Sequence, residues 1–155
     1  DKNLPVNLTL SALDMWGFRI DTTREKAEMT RARKDFDIRA ASDDMRAGAL
    51  SGGNQQKLLL AKTMLTEPEI VIIDEPTRGI DIGTKQQIYH FVRELARQGK
   101  AVIVISSELP EVIGLSDRVL VMRMGTIAGE VDGAAITEEN IVRLAMGLER
   151  EEEPA

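Results

Sequence analysis

The chain has 155 residues, 43% of them hydrophobic and 30% charged, with no cysteine, one histidine and a formal net charge of −6. That length supports one globular domain with its own core, while the composition excludes disulfides and thiolate metal sites and leaves too few nitrogen ligands for zinc. The acidic balance argues against a nucleic-acid partner, which needs Lys and Arg gathered on one face.

The sequence contains no run of 18 apolar residues, no charged-then-apolar leader and no lipidation signal, so any membrane role is expected through a partner. The lack of cysteine fits a reducing compartment.

In chain order, residues 1–49 are polar and helical in texture. "REKAEMTRARKDF" (24–36) predicts a helix, and "DIRAASDDMRAG" (37–48) a turn-rich approach to the glycines that follow. No chemistry is evident there. "LSGGNQQK" (50–57) then opens the apolar, helix-favouring "LLLAKTML" (58–65).

From residue 50 onward helix and strand patterns alternate, as in an α/β fold with a parallel sheet. The strands are predicted at 70–74 ("IVIID"), 101–106 ("AVIVIS"), 118–123 ("RVLVMR") and 126–131 ("TIAGEV"). The first two are continuous β-branched runs, which predicts that both of their faces are covered. Between them, Ile88, Phe91, Val92 and Leu95 fall at i, i+3, i+4 and i+7 of a crossover helix that Gly99 stops. A last helix is expected at 138–146, with Thr137 as cap and Glu138 and Glu139 in its first turn. Residues 148–155 are expected to form an acidic, disordered tail. There is no internal repeat.

Two places carry chemistry. A helix N-terminus with free N–H groups binds anions; Gly52 and Gly53 let a phosphate approach the backbone and Ser51 adds a hydroxyl donor. The same three residues also fit a plain flexible cap. In "EIVIIDEPTRGID" (69–81) a buried strand delivers Asp74 and Glu75 at its C-terminal end, where open α/β sheets bind ligands. Alternation along a strand gives the two acids different directions: one to hold Mg2+, directly or through water, the other to orient a water attacking a γ-phosphate. Taken alone, the pair also fits ordinary surface acids. Pro76 ends the strand, Gly79 centres a turn, and Asp81 adds a further acid.

A leucine-serine-glycine-glycine helix start followed, one helix later, by four apolar residues and Asp-Glu-Pro-Thr resembles the ATPase subunits of ABC transporters. The spellings "LSGGNQQK", "DEPTRGIDIGTK" and "SSELPEVIGLSDRVLVM" resemble the second nucleotide-binding half of fused monosaccharide-import ATPases. The resemblance runs from about residue 50 to 147, with a weaker signal over 1–49. It implies a partial P-loop NTPase domain, α/β with a mainly parallel sheet and flanking helices, in three parts: a remnant of a helical subdomain (1–49), the signature helix with the C-terminal part of the ATPase core (50–147) and the tail (148–155).

For the site, the resemblance implies Ser51, Gly52, Gly53 and Gln55 as signature residues contacting ATP, Asp74 as the metal-linked acid, Glu75 as the catalytic carboxylate and Asp81 in the loop that follows. ATP and Mg2+ are the implied cofactors. The implied partners are the first nucleotide-binding half of the same polypeptide, membrane permease subunits and, indirectly, a sugar-binding protein, with the ATPase on the inner face of the cell membrane. An open sheet edge would also permit a homodimer of this chain.

Two departures stand out. No G-x-x-x-x-G-K-[ST] loop occurs in the 155 residues; Gly99-Lys100 follows a helix and reads as a stop. Where the family has a histidine contacting γ-phosphate, this chain has Ser107, whose hydroxyl is shorter and takes no positive charge. Ser107 is expected to cap the helix of "ELPEVI", and His90, inside the crossover helix, to be an ordinary surface residue. A non-transport ATPase of the same superfamily should bring long helical insertions or a basic surface, and neither occurs. A non-enzymatic relic would bind no nucleotide even with its partner half. A dinucleotide-binding fold fails for want of a G-x-G-x-x-G.

Overall fold

A computed structural model describes residues 2–12 and 21–148. The chain divides into two compact units, residues 1–103 and 104–155. The expected tail, from residue 149 on, lies outside the described residues.

The first unit begins with helices. Asn3 caps α1 (Leu4–Thr9), its Oδ1 accepting from the Val6 N–H at 3.3 Å, and Pro5 suits the first turn because that N–H has no intrahelical partner. Asp21 caps α2 (Thr22–Asp35), taking the N–H groups of Thr23 and Arg24 at 3.0 and 3.1 Å. Acid at the start of α2 and Arg33 and Lys34 at its end both suit the helix dipole. Irregular residues 37–46 are pinned by Arg33, which donates to Asp43 Oδ1 and to the Ala40 carbonyl, both at 2.7 Å. They lead through a 3-10 turn (Ala47–Ala49) to α3 (Gly52–Met64). Leu4, Leu8, Met29, Ala32, Ile38, Leu50, Leu58 and Ala61 form one buried cluster, and each full burial of a Leu or Met contributes about 1.5–3 kcal/mol.

The alternating part follows. β1 (Ile70–Asp74) pairs with β2 (Ala101–Ile105) in a small parallel sheet, joined by the crossover helix α4 (Ile82–Arg97). Ile88, Val92 and Leu95 of α4 are buried, and Phe91 stacks obliquely on Phe36 with ring centroids 4.9 Å apart. Gly99 has φ 85°, a left-handed conformation that ends the helix at low steric cost. The expectation that both faces of these strands are covered is not met. Val71 and Ile73 are buried, while Ile70 and Ile72 are 61% and 64% exposed and Ile103 is 50% exposed.

In the second unit α5 (Leu109–Leu115) precedes an antiparallel hairpin, β3 (Arg118–Arg123) and β4 (Thr126–Asp132). Met124 and Gly125, at φ 49° and 80°, make the two-residue turn whose twist suits a hairpin. The register shifts between Val121 and Met122. α6 (Glu138–Met146) lies against both strands and closes a core of Val119, Val121, Val131 and Ile141. Its ends match the predicted bounds: Thr137 Oγ1 accepts from the Asn140 N–H at 3.2 Å, and Gly147 turns left-handed at φ 73°.

Ser107 does not cap α5. The N-cap position is Glu108, and the serine that helps is Ser106, whose Oγ accepts from the Glu108 N–H at 3.0 Å. Leu109 and Pro110 therefore occupy the first turn, and Ser107 lies outside the helix.

Candidate functional site

Ser51 is the N-cap of α3, with extended φ and ψ of −60° and 153°, yet its side chain takes no backbone N–H of the first turn. Its Oγ instead accepts from Asn54 Nδ2 at 2.8 Å, and Asn54 Oδ1 accepts from the Arg39 N–H at 2.7 Å. A capping serine ordinarily satisfies an N–H two or three residues on; this one does not, and its own proton remains to donate. Gln55 is exposed and its Nε2 donates to the Leu50 carbonyl at 2.8 Å, which ties the motif's first residue to its sixth. Lys57 is buried along its stem, and its Nζ donates to the Asp37 carbonyl at 3.0 Å. The helix start is thereby held on both sides.

The two glycines differ. Gly52 is exposed and a Cβ there would meet nothing within 4 Å, whereas Gly53 is buried against Thr84. Gly52 is therefore open on the side where a Cβ would point, and Gly53 is closed there by Thr84.

Asp74 ends β1 with an exposed carboxylate, and Glu75 is half-buried. The difference between them does not come from strand alternation as expected. Glu75 has left the strand and sits at φ 47°, in the left-handed region that a non-glycine residue rarely enters. Behind it Pro76 and Thr77 are fully buried, and the turn closes with Arg78 N donating to the Glu75 carbonyl and Ile80 N to the Thr77 carbonyl, both at 3.3 Å. Such a backbone persists only where its surroundings over-determine it, and it aims the Glu75 side chain independently of the strand.

Asp81 serves as the N-cap of α4, a role the sequence reading did not assign. Its Oδ1 accepts from the Thr84 N–H at 3.0 Å and its Oδ2 from Thr84 Oγ1 at 2.8 Å. The Thr84 backbone bond, then its hydroxyl bond, hold the Asp81 carboxyl below its ordinary value of 3.8. The spacing Asp-x-x-Thr just ahead of an apolar-periodic stretch was the available signal. Ser107 is exposed, in the second unit, and His90 is an exposed position of α4.

For a divalent ion, no group of three or more His, Cys, Asp or Glu gathers among the described residues. Asp74 supplies at most part of a coordination shell, so Mg2+ fits here only as an ion shared with phosphate oxygens and water. No helix among the described residues is long and apolar enough to cross a membrane. A cavity of about 490 Å³ in the second unit, lined by Arg123, Thr126, Glu130, Arg143 and Leu144 among others, touches none of the motif residues.

A family model described as "ABC transporter" matches residues 2–78, so the similarity extends into the stretch ahead of the glycines. The chain is 48% identical over 147 residues to "Ribose import ATP-binding protein RbsA 2" of Escherichia coli O157:H7, covering 92% of this chain and 28% of that protein. It is 54% identical over 126 residues to "Ribose import ATP-binding protein RbsA" of Roseobacter denitrificans, covering 79% and 25%. The chain thus spans little more than a quarter of the length of these relatives.

Among solved structures, an inward-facing putative metal-chelate type ABC transporter superposes with a TM-score of 0.76 at 17% identity, over 92% of this chain and 57% of that one. A dimeric post-hydrolysis state of the ATP-binding cassette MJ0796 bound to ADP and Pi gives 0.73 at 19%, over 84% and 56%. These two share the fold.

Proposed function

The chain belongs to the ABC transporter ATPase family, and we propose that it supplies the C-terminal part of the second nucleotide-binding half of a fused monosaccharide-import ATPase. ABC ATPases work in pairs, with ATP between the phosphate loop of one half and the signature of the other. In this reading the open start of α3 serves ATP held by the first half of the same polypeptide. The Ser51 hydroxyl and the backbone of Gly52 and Gly53 contact the phosphates, with Gln55 in the same signature face, and the helix dipole favours the negative charge that develops there. Asp74 and Glu75 belong to the other site, Asp74 contributing an oxygen to Mg2+ and Glu75 orienting the attacking water. Bound Mg2+ neutralises phosphate charge during transfer.

At the sequence position where the family carries the imidazole that contacts γ-phosphate this chain has Ser107, and on that sequence ground we assign weak or silent hydrolysis to the half that Asp74 and Glu75 serve. Gating of the pair then moves a membrane permease, which places the ATPase on the inner face of the cell membrane, and an external sugar-binding protein delivers the substrate. The ribose named in the relatives supports a monosaccharide as the substrate class.

The observation that carries this reading is that one unit holds both an uncapped, side-chain-free helix start at Gly52 and, one helix on, a strand that delivers Asp74 and Glu75 at its C-terminal end. Two measurements test it. The 155-residue chain, lacking a phosphate loop, should show no ATP turnover above buffer, and robust turnover by pure material would refute that. In the intact transporter, Gly52→Asp should abolish sugar uptake while Glu75→Gln leaves a large part of it; equal losses would remove the asymmetry between the two sites.

A further inference from the structure

We propose that Thr84 is a positioning residue for the signature helix, and that the two motif glycines are glycines for different reasons: Gly53 to seat Thr84, Gly52 to keep the approach to the helix start open. The Thr84 contact stands on geometry alone; the Gly52 half rests on the nucleotide reading above.

A Cβ built on Gly53 would lie 2.8 Å from Thr84 Cγ2, 3.0 Å from its Oγ1 and 3.3 Å from its Cβ. The first two distances are at or inside the limit that Cβ atoms tolerate, and Thr84 has little freedom to retreat. Threonine is stiff at χ1, and its hydroxyl is held at 2.8 Å by Asp81 Oδ2 while its backbone N–H is held at 3.0 Å by Asp81 Oδ1. The clash is therefore with an anchored side chain at the first turn of α4, not with the loose end of a long one. At Gly52 a Cβ meets nothing within 4 Å, so no packing inside the unit requires glycine there.

The consequence is a short mechanical link. The turn that carries Glu75 runs through Gly79 to Asp81; Asp81 fixes Thr84; Thr84 rests on the backbone of Gly53. A shift of the capped start of α4 is thus passed to the first turn of α3, which couples the acid-bearing loop to the signature face of the same half.

The test is a mutant cycle on thermal unfolding of this chain, followed by ATPase assays in the intact transporter. Gly53→Ala should lower Tm by about 4 °C or more, the size expected for overpacking. Gly52→Ala should leave Tm within about 2 °C, since substitutions at exposed, unconstrained sites have small effects. Thr84→Ala removes the two closest atoms, so the double variant G53A/T84A should unfold no lower than T84A alone. Equal shifts for G52A and G53A, or an additive double variant, would overturn the Thr84 contact.

In the transporter, G53A should raise the KM for ATP and G53A/T84A should bring it back toward the parent value; a KM left unrestored while Tm recovers would show that Thr84 is structural only. G52A should lose turnover at unchanged Tm. Full turnover in G52A, with the Tm cycle as expected, would overturn the nucleotide reading and the Gly52 half together while leaving the Thr84 contact in place.

Discussion

Glu75 combines a side chain suited to orienting water with a backbone at φ 47°, and the two can be separated by substitution. Glycine enters the left-handed region freely whereas alanine bears a cost of roughly 1–2 kcal/mol there. Glu75→Gly and Glu75→Ala lose the same carboxylate and its interactions, so their difference isolates the backbone: the glycine variant should be more stable by about 1 kcal/mol in urea unfolding. Equal stabilities would mean that the turn is not strained. Asp81 gives a pH signature instead. Its folded carboxyl titrates below 3.8 because the charged form accepts two bonds from Thr84. A depressed folded value means stability that is present above the unfolded value and lost as pH falls through the folded one. The Tm of the chain should therefore drop more steeply below about pH 4 than that of Asp81→Asn, the two curves running parallel above about pH 5. A variant with the same acid limb would show that the cap does not titrate as described.

Among elements, the hairpin is the most open to improvement. Met124 is 90% exposed at φ 49° and is followed by Gly125 at φ 80°, a turn type that favours Asn-Gly. Met124→Asn should stabilise the chain by about 0.5–1 kcal/mol, measured by urea unfolding, because asparagine tolerates the left-handed region and no contact is lost. This hairpin also shows what a sequence carries. "RVLVMR" was legible as a strand over 118–123, and 138–146 as a helix, because their alternation, cap and terminal glycine are local signals. The antiparallel pairing of β3 with β4 was not drawn out, although Met124-Gly125 is too short to allow any other connection. The start of the crossover helix at Ile82 was not drawn out, because Asp81 had been read as a site acid and not as a cap. Similarly, the neighbouring serines Ser106 and Ser107 offer equal capping chemistry, and only the fold decides that Ser106 bonds the backbone. The division of labour between Gly52 and Gly53 was invisible to sequence, since it depends on Thr84, 31 positions away from Gly53 along the chain.

For the molecule as a whole, the telling feature is the apolar face of the first unit's sheet. Continuous β-branched strands belong to sheets covered on both sides, yet Ile70, Ile72 and Ile103 are between 50% and 64% exposed. The solved cassettes of the same fold carry further chain, since this one spans 56–57% of them, and the relatives are longer still. A face of this kind in an isolated chain is a site for association, because burying apolar area gains about 25 cal/mol per Å² whatever supplies the cover. The 155-residue chain should therefore self-associate with rising concentration, as seen by sedimentation velocity. Ile72→Thr keeps β-branching and hence strand propensity while removing apolar area from the centre of the patch. It should shift the distribution toward monomer at a cost in stability within about 0.5 kcal/mol, as for other surface substitutions. An unchanged distribution would place the association elsewhere, and a large loss of stability would mean that Ile72 is covered within the chain itself.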